Sequence, residues 1–592
     1  MTGNSAESID SVVKDTVVEP RQSGSSVSNE INEVDNRSVN GNNERKNQDD
    51  DDEDDVVESA GDGTTAADQV LHGLPLLLCA VSLLLCMFLV ALDQTIVATI
   101  LSTVGNKFDD FGDVSWIASG FLLPTAVLAM NWGKISLVFG RKYTMIAAVI
   151  LFEAGSLMCA LANSMNVLIG GRVLAGVGGG GIQVMVFVIL TEITTIDKRG
   201  MFQGLIGAAF GIASVVGPLV GGAFTSHVSW RWCFYINLPV GGVALAFITI
   251  FFNPPRTRGS FKEKLLMIDY LGTVLLGAGL TLLLLALSLG STTDPWNSAI
   301  VISFFVVGGV LCLVFCFYNF RISKIPLIPW RVAKVPTVMA PCLGIGFLMG
   351  AFMSGVLYLS TYFQVVLGAD AMHSGIDLLP LIIPLVLTSI CMGVVVSKTR
   401  YTKPFASFGT SLVVIGFGLM TLLDAHSSLG RRMGFQIITG LGVGCIFQSV
   451  ALSLQVSAPK DQGGVLVATA MLGMFRSLGA VLGSSIGQTI QSVVFSTGVS
   501  ALDLPAGIDP DTLLSSPDTI NALSPDLQTL VIDAFVKGFQ RVMYFALAFA
   551  ICAFLCTIFF TNKRIPKSNT GGHKKNDIEN PKPSETSEKT EA

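Results

Sequence analysis

Fourteen apolar segments dominate this chain of 592 residues, and each is long enough to cross a lipid bilayer. A membrane-crossing helix needs roughly 20 apolar residues, and within lipid its backbone polar groups must be satisfied internally. The chain is 51% hydrophobic and only 14% charged, whereas soluble domains carry about 25% charged residues. We therefore predict an all-α polytopic membrane protein with helices over 75–98, 115–136, 143–163, 167–191, 202–224, 232–252, 268–290, 299–320, 337–360, 375–397, 405–424, 432–456, 464–490 and 541–561.

Both ends of the chain are polar. Residues 1–70 carry an acidic run at 49–55 and residues 563–592 are again charged, so we predict a disordered tail at each end and no signal peptide. The eleven cysteines lie in or beside apolar segments, which is typical of small membrane hydrophobes and not of disulfides or a metal site. No basic surface indicates nucleic acid as a partner.

The loops carry an asymmetric charge. With the N-terminus in the cytosol, sixteen lysines and arginines of the loops fall on the cytosolic side and six on the other. This positive-inside bias predicts that both termini are cytosolic and that a polar loop at about 497–537 lies outside the cytosol.

A weak internal repeat relates the fourth and twelfth segments. An offset of 264 residues superposes Gly176, Gly178 and Gly180 on three further glycines, with Gln436 at the place of Arg172. Two related six-helix bundles would explain this, since transporters commonly hold substrate between such halves. We predict bundles over 71–254 and 336–562, with two inserted helices and their linkers over 255–335.

Four ionisable residues lie deep within the segments, namely Asp93, Glu153, Arg172 and Arg476. Such residues are costly in a membrane and are therefore functional candidates. With a rise of about 1.5 Å per residue, Asp93 and Arg172 both lie in the outer half of the bilayer and can form an ion pair. Glu153 and Arg476 lie near the midplane, where a carboxylate suits proton coupling. A buried structural pair or hydrogen bond is the alternative for each.

Helical periodicity places both arginines on small-residue faces. Arg172 shares its face with Gly176 and Gln183, and Arg476 shares its face with Ala480 and Gly483. These faces pack against protein or line a cavity. The glycines at 176–181 formally fit a dinucleotide fingerprint, but that motif needs a strand before it in a soluble unit. No catalytic or metal-binding pattern is present, so we predict neither an enzyme nor a cofactor.

The fifth segment carries a stripe of small residues. Gly207, Gly211, Ser214, Pro218 and Gly222 fall on one side of a helix. Such a stripe lets another helix approach closely, which is how helices pair in lipid. A tightly packed helix pair without motion is the alternative to a moving part.

Several motifs together resemble the fungal fourteen-span drug:proton antiporter branch of the major facilitator superfamily. The resemblance covers about 75–561, and its motifs are Leu92 to Val97, Arg172 to Gly178, Gly211 to Gly222 with Gly217 and Gly221, Trp230 to Gly242, and the helix nine-to-ten passage from Tyr362 to Pro380. It implies the major facilitator fold with fourteen helices. The loop between helices two and three departs from the family pattern, because Leu137 and Val138 stand where an acid and a base are usual.

We assign roles to individual residues from their depth in the membrane, and the resemblance adds a part in proton transfer for Arg172 of the fourth-helix motif. Asp93 and Glu153 would bind protons or cations, Arg172 would tune their proton affinity, and Arg476 would share in this coupling. Residues assigned to the substrate cavity are Gln183, Tyr362, Gln364 and Gln436, and those assigned to the cytosolic gating loop are Gly133, Gly140, Arg141 and Lys142.

The expected function is proton-coupled export of amphiphilic or cationic drugs from the cytosol across the plasma membrane by a monomer in the lipid bilayer. Vacuolar transport of basic amino acids with the same proton exchange is the nearest alternative. A membrane sensor that has lost transport is a third, suggested by Leu137.

Overall fold

The structure is a computed structural model that describes residues 70–108, 114–254, 268–292, 295–369, 371–460, 463–500, 502 and 524–565. Within these ranges the chain forms helices and connections, with no β-strand. Fourteen helices are long and apolar enough to cross a membrane, which confirms the all-α fold. The main helices of these spans are α1 Gly73–Ile96, α2 Ser115–Phe139, α3 Arg141–Ala160, α4 Met165–Ile193, α5 Ile196–His227, α6 Asn237–Phe251, α7 Tyr270–Thr292, α8 Ala299–Phe317, α9 Pro336–Leu367, α10 Leu379–Thr399, α11 Lys403–Met420, α12 Leu429–Ser457, α13 Gly464–Ser500 and α14 Pro525–Thr557. The sixth span, Trp232–Phe251, also includes the short helix before α6.

Short helical elements connect several of these spans. They are Val97–Thr99, Leu101–Phe108, Trp232–Tyr235, Tyr318–Ile322, Trp330–Ala333 and Ala371–Asp377. The predicted tails lie outside the described residues, apart from residue 70 and residues 563–565.

The last helix begins earlier than predicted. We expected it at 541 and assigned 497–537 to a polar loop, but α13 continues to Ser500 and α14 begins at Pro525. Proline suits the first turn of a helix because that position needs no N–H donor. Farther along α14, Val531 and Phe535 are buried at helical spacing, and the Phe535 ring packs edge-on against Phe495 of α13. Contact with α13 therefore makes this polar-looking stretch helical.

The helices pack as two groups joined along two seams. Helices α1–α6, the first half, contact one another, and helices α9–α14, the second half, do the same. The halves meet where α2 packs on α13 and where α5 packs on α10, with α4 and α12 between these seams. Helices α7 and α8 pair with each other, and α7 rests on α2 and α13. The limits of the bundles themselves stay a prediction.

The glycines of the internal repeat make equivalent contacts in both halves. A Cβ on Gly178 of α4 would strike the backbone of Phe152 on α3, and a Cβ on Gly442 of α12 would strike the backbone of α11 near Val413. In the same way, Gly180 packs on α2 and Gly444 packs on α10. The repeat therefore corresponds to one packing scheme used twice.

A hydrogen bond crosses the interface at equivalent positions of the repeat. The Nε2 of Gln455 on α12 donates to the hydroxyl of Thr191 on α4 at 3.0 Å, and the two residues are 264 positions apart. Nearby, the hydroxyl of Ser389 on α10 donates to the backbone carbonyl of Gly204 on α5 at 3.1 Å. These bonds hold the halves together at the end of the bundle where α1 begins.

Candidate functional site

A buried ion pair joins α1 to α4. The Nη1 of Arg172 donates to Oδ2 of Asp93 at 2.5 Å, and both side chains are almost wholly buried, at 1% and 0% exposure. The sequence allowed this pair from the depths of the two residues, and the structure brings them together. Because a buried charge without a partner is strongly destabilising, each residue depends on the other.

Further groups complete the surroundings of this pair. The Nε of Arg172 donates to the backbone carbonyl of Ile117 at 2.9 Å, and its guanidinium carbon lies 4.5 Å from the ring centroid of Phe121. The second oxygen of Asp93 accepts from Nδ2 of Asn237 at 3.2 Å, and Asn237 also donates to Ser156 at 3.1 Å. Both oxygens of the carboxylate therefore have donors, and α3 and α6 share in holding it.

Glu153 lies one helical turn from Ser156 on α3, at the seam with α6. Its carboxyl group packs against Gly241, which leaves no room there for a side chain. Both carboxyl oxygens are buried, and they have no hydrogen-bond partner among the described residues. A neutral, protonated carboxyl is less costly in such a place than a carboxylate.

A cavity lies between the two halves. Polar and charged groups on its wall come from Gln94, Thr125, Gln183, Arg476 and Ser477, and the apolar part of the wall comes from Leu122, Phe210, Met349, Met353, Phe447 and Ala480. It is small, with room for roughly one or two water molecules. The halves must therefore separate before a larger molecule can enter.

Arg476 and Gln183 meet across the cavity wall. The Nη2 of Arg476 on α13 donates to Oε1 of Gln183 on α4 at 2.8 Å, so this hydrogen bond joins the two halves. The guanidinium carbon also lies 4.9 Å from the ring centroid of Phe187, a cation–π distance. Gln183 of one predicted face and Arg476 of the other thus meet at the cavity. The glycines of these faces lie elsewhere, since Gly176 packs on α2 and Gly483 packs on α9.

Three residues assigned to the cavity from sequence lie outside it. Tyr362 is fully buried within the second half, where its hydroxyl donates to the carbonyl of Asp424 at 2.6 Å. The Nε2 of Gln364 donates to Ser374 at 3.2 Å in the α9–α10 connection, and Gln436 donates to the carbonyl of Arg432 on its own helix. In this conformation Tyr362 and Gln364 connect different elements of the second half, and Gln436 caps a carbonyl within its own helix.

The small-residue stripe of α5 faces the second half. A Cβ on Gly207 or Gly211 would press on Ser389 or Val386 of α10. Farther along, Pro218 touches Gly375, and Gly222 has open space around it up to Met372. The stripe thus produces the close approach of helices that it predicts.

Two other glycines of α5 face α1. A Cβ on Gly217 would overlap the Thr95 side chain, and one on Gly221 would overlap Thr99 and Ile96. The hydroxyl of Thr95 also donates to the carbonyl of Ala213 at 3.1 Å. Helix α5 therefore packs closely on α1 and α10 at once and connects the ion pair of the first half to the second half.

The predicted gating loop is a sharp turn between α2 and α3. Gly140 has φ 91°, a conformation that favours glycine. Arg141 is buried and forms an ion pair of 2.8 Å with Glu192 at the end of α4. Lys142 donates to the carbonyl of Thr249 at 2.7 Å near the end of α6.

Gly133 lies within α2, before this turn, and packs on Ala470 of α13 across the interface between the halves. The loop thus ties three helix ends of the first half together, and the helix before it touches the second half.

Sequence reasoning missed some residues of the site. Asn237 was not singled out, although an asparagine at the start of an apolar helix is a signal for a buried polar contact. Gln94 was overlooked beside Asp93, although it is one of the few polar residues in its segment. Glu192 lies at the end of the fourth segment and was assigned no role in the site, and its partner Arg141 was assigned to gating.

Comparison with known proteins gives consistent matches along the chain. Residues 83–484 match the family model for the Major Facilitator Superfamily. An MFS-type efflux pump of Trichophyton rubrum is 35% identical over 484 residues, which cover 81% of this chain and 90% of that protein. Vacuolar basic amino acid transporter 5 of Saccharomyces cerevisiae is 33% identical over 548 residues, covering 84% and 93%.

A solved structure shares the fold. The crystal structure of a bacterial homolog to the human lysosomal transporter Spinster aligns with a TM-score of 0.53 at 15% identity. The alignment covers 83% of this chain and 99% of that chain.

Proposed function

The chain belongs to the major facilitator superfamily, and from that premise we propose that it is a proton-coupled antiporter that exports amphiphilic compounds from the cytosol. The observation that carries the proposal is the buried pair of Asp93 and Arg172, whose helices also supply Gln94 and Gln183 to the cavity wall. A carboxylate in such a pair has two stable states, ionised beside the guanidinium or protonated and released from it. Protonation can thereby change how α1 and α4 pack around the cavity.

Glu153 is the second proton site in this proposal. Its buried, unpartnered carboxyl oxygens lie one turn from Ser156, which is linked through Asn237 to Asp93. In this proposal a proton passes between the two carboxyl groups when Glu153 comes within reach of Ser156, to which it makes no hydrogen bond in this conformation. Arg172 sets the proton affinity of Asp93 through its charge.

Alternating access requires the halves to move against each other. Helix α5 supports such motion because its glycines bring it close to α1 and α10 without interlocking side chains. Two hydrogen bonds between uncharged groups, from Gln455 to Thr191 and from Ser389 to Gly204, then hold the halves together at the end of the bundle where α1 begins. In this proposal they take the place of the acid and the base that are usual in the family where Leu137 and Val138 stand.

We place the protein in the plasma membrane with both termini in the cytosol, acting as a monomer on small-molecule substrates. The positive-inside bias supports the orientation. The identity of 33% to a vacuolar basic amino acid transporter favours a second candidate, proton-driven import of lysine or arginine into the vacuole.

Uptake into liposomes tests the proposal. The purified full-length protein is reconstituted, the lumen is made acidic, and uptake of two amphiphiles, cationic ethidium and anionic naphthalenesulfonate, is compared with uptake of lysine. Gradient-driven uptake of an amphiphile that stops on adding a proton ionophore supports drug export, and gradient-driven lysine uptake supports the vacuolar candidate. Uptake of either compound at the same rate with and without the gradient contradicts proton coupling.

A further inference from the structure

Arg476 has no carboxylate partner among the described residues, which distinguishes it from two other buried arginines, Arg141 and Arg172. Arg172 pairs with Asp93, and Arg141 pairs with Glu192. Arg476 is 7% exposed, and among the described residues its side chain makes one hydrogen bond, to the neutral amide of Gln183. A guanidinium has five N–H donors. Most of its N–H donors can therefore bind a further group, and no carboxylate of the described residues neutralises its positive charge.

The wall of the cavity supplies no negative charge. Its other polar groups are the amides and hydroxyls of Gln94, Thr125, Gln183 and Ser477, and none of its described residues is Asp or Glu. The carboxylate of Asp93 is close in sequence to Gln94, but it is already paired with Arg172. Among the described residues that line it, this cavity thus has one positive charge and no negative charge to offset it, in a poorly hydrated place where charge interactions are strong.

The rest of the wall suits an apolar body of variable shape. Met349 and Met353 of the second half face Phe210 and Leu122 of the first half. Methionine side chains are flexible and polarisable, so they adapt to differently shaped partners. A planar guanidinium binds carboxylates, sulfonates and phosphates through two parallel N–H bonds.

We propose that the site between the halves binds amphiphilic organic anions, with Arg476 holding the acidic group and the methionines and phenylalanines holding the apolar body. This inference rests on the proposed function, since it takes the cavity to be the transport site. It narrows the amphiphilic or cationic class expected from the sequence, because a cationic ligand would meet the like charge of Arg476 without a carboxylate to offset it.

Three probes of equal ring size but different charge test this inference. Naphthalenesulfonate, naphthyltrimethylammonium and neutral naphthylmethanol do not change charge between acid and neutral pH. Their binding to the full-length protein in lipid nanodiscs is measured by equilibrium dialysis. We expect the sulfonate to bind at least about tenfold more tightly than the ammonium, the ratio that about 1.4 kcal/mol provides. Equal or tighter binding of the ammonium overturns the inference, as does no binding of the sulfonate.

Variants assign the preference to Arg476. Arg476→Gln should lower sulfonate affinity about tenfold and leave naphthylmethanol binding unchanged, and Arg476→Lys should retain part of the preference because it keeps the charge. Arg431→Gln, at an exposed position on α12, is the matched control and should change nothing. Undiminished sulfonate binding by folded Arg476→Gln protein overturns the inference.

Gln183→Glu provides a second approach should Arg476→Gln fold poorly. It adds a carboxylate at the site of the 2.8 Å hydrogen bond, so the charge of Arg476 becomes neutralised within the protein. Sulfonate binding should fall and ammonium binding should rise. No change in the ratio of the two affinities contradicts the inference.

Transport separates this inference from the proposed function. If an acidic lumen drives uptake of the ammonium and not of the sulfonate, antiport stands and the anion site is overturned. If the sulfonate binds in an Arg476-dependent manner but is taken up at the same rate with and without the proton gradient, the anion site stands and proton-coupled antiport is overturned.

Discussion

Arg172 and Arg476 are both buried in the membrane region, but their surroundings differ. Arg172 has a carboxylate, a backbone carbonyl and an aromatic ring around it, all within the first half. Arg476 has an amide and an aromatic ring, and both come from the opposite half. The first arginine is neutralised inside one half and contributes to holding that half together. The second has no carboxylate partner among the described residues at the interface between the halves, which is a property suited to a ligand site.

The strongest test of this contrast is Asp93→Asn. It leaves the buried charge of Arg172 without its partner, and we expect the free energy of unfolding to fall by about 3–5 kcal/mol. Gradient-driven transport should also be lost. Thermal unfolding in detergent and liposome uptake measure the two effects, with Asp526→Asn at an exposed position of α14 as the control.

A double variant separates structure from coupling. Asp93→Asn combined with Arg172→Gln removes both charges, so stability should largely return whereas transport should not. Full transport by the single variant at normal abundance would refute the coupling role of Asp93.

Gly217→Ala tests how far the surroundings of the ion pair between Asp93 and Arg172 depend on the packing of α5 against α1. The new methyl group would overlap Thr95, two residues from Asp93, and overpacking of this kind costs about 1–3 kcal/mol. We expect a lower unfolding temperature and slower transport. Gly222→Ala serves as the control, since its nearest neighbour, Met372, lies 3.9 Å from the added Cβ. Equal effects of the two variants would contradict the packing described for α5.

Ser156→Ala tests the hydrogen bonds that surround the ion pair of Asp93 and Arg172. Asn237 would lose one acceptor but keep its bond to Asp93, so a loss of about 1 kcal/mol in unfolding free energy is expected. The rate of proton-coupled uptake should fall if Ser156 connects Asp93 to Glu153. A rate of proton-coupled uptake equal to that of the wild type would show that Ser156 does not take part in the proposed proton path.

The smallest effect on stability is expected for Arg476→Gln. Removing a charge that has no carboxylate partner removes a desolvation cost as well as a hydrogen bond, so the unfolding free energy should change by no more than about 1 kcal/mol. The same substitution at Arg172 would leave Asp93 unpaired and should be clearly destabilising. Similar losses at both arginines, measured by thermal unfolding, would contradict the contrast between the two regions.

Much of the fold was accessible from sequence because its main constraint is local. The length and apolarity of each segment predict a helix without knowledge of its neighbours, and the fourteen spans were located in this way. The predicted start of α14 was wrong because Val531 and Phe535 become buried only through contact with α13. Hydropathy along the chain contains no information on that contact.

The site was predictable where depth and helix face were enough. The similar depths of Asp93 and Arg172 in the bilayer predicted that they can form an ion pair. Helical periodicity predicted that Arg476 faces protein and not lipid. Neither argument identifies which neighbour a side chain meets. Tyr362 therefore lay in the expected helix but hydrogen-bonds to Asp424 within the second half, and the contact of Asn237 with Asp93 required the packing of α6 on α1.

The bond from Gln455 to Thr191 has a consequence of its own. Equivalent positions of two related halves can touch only near the axis that relates them, as in a symmetric dimer where a residue on the axis meets its own copy. Identical copies would have to place the same side chain at both ends of that contact. A single chain with two diverged halves can place an amide donor at one end and a hydroxyl acceptor at the other. Joining the halves in one polypeptide thus makes the contact at the centre of the interface directional.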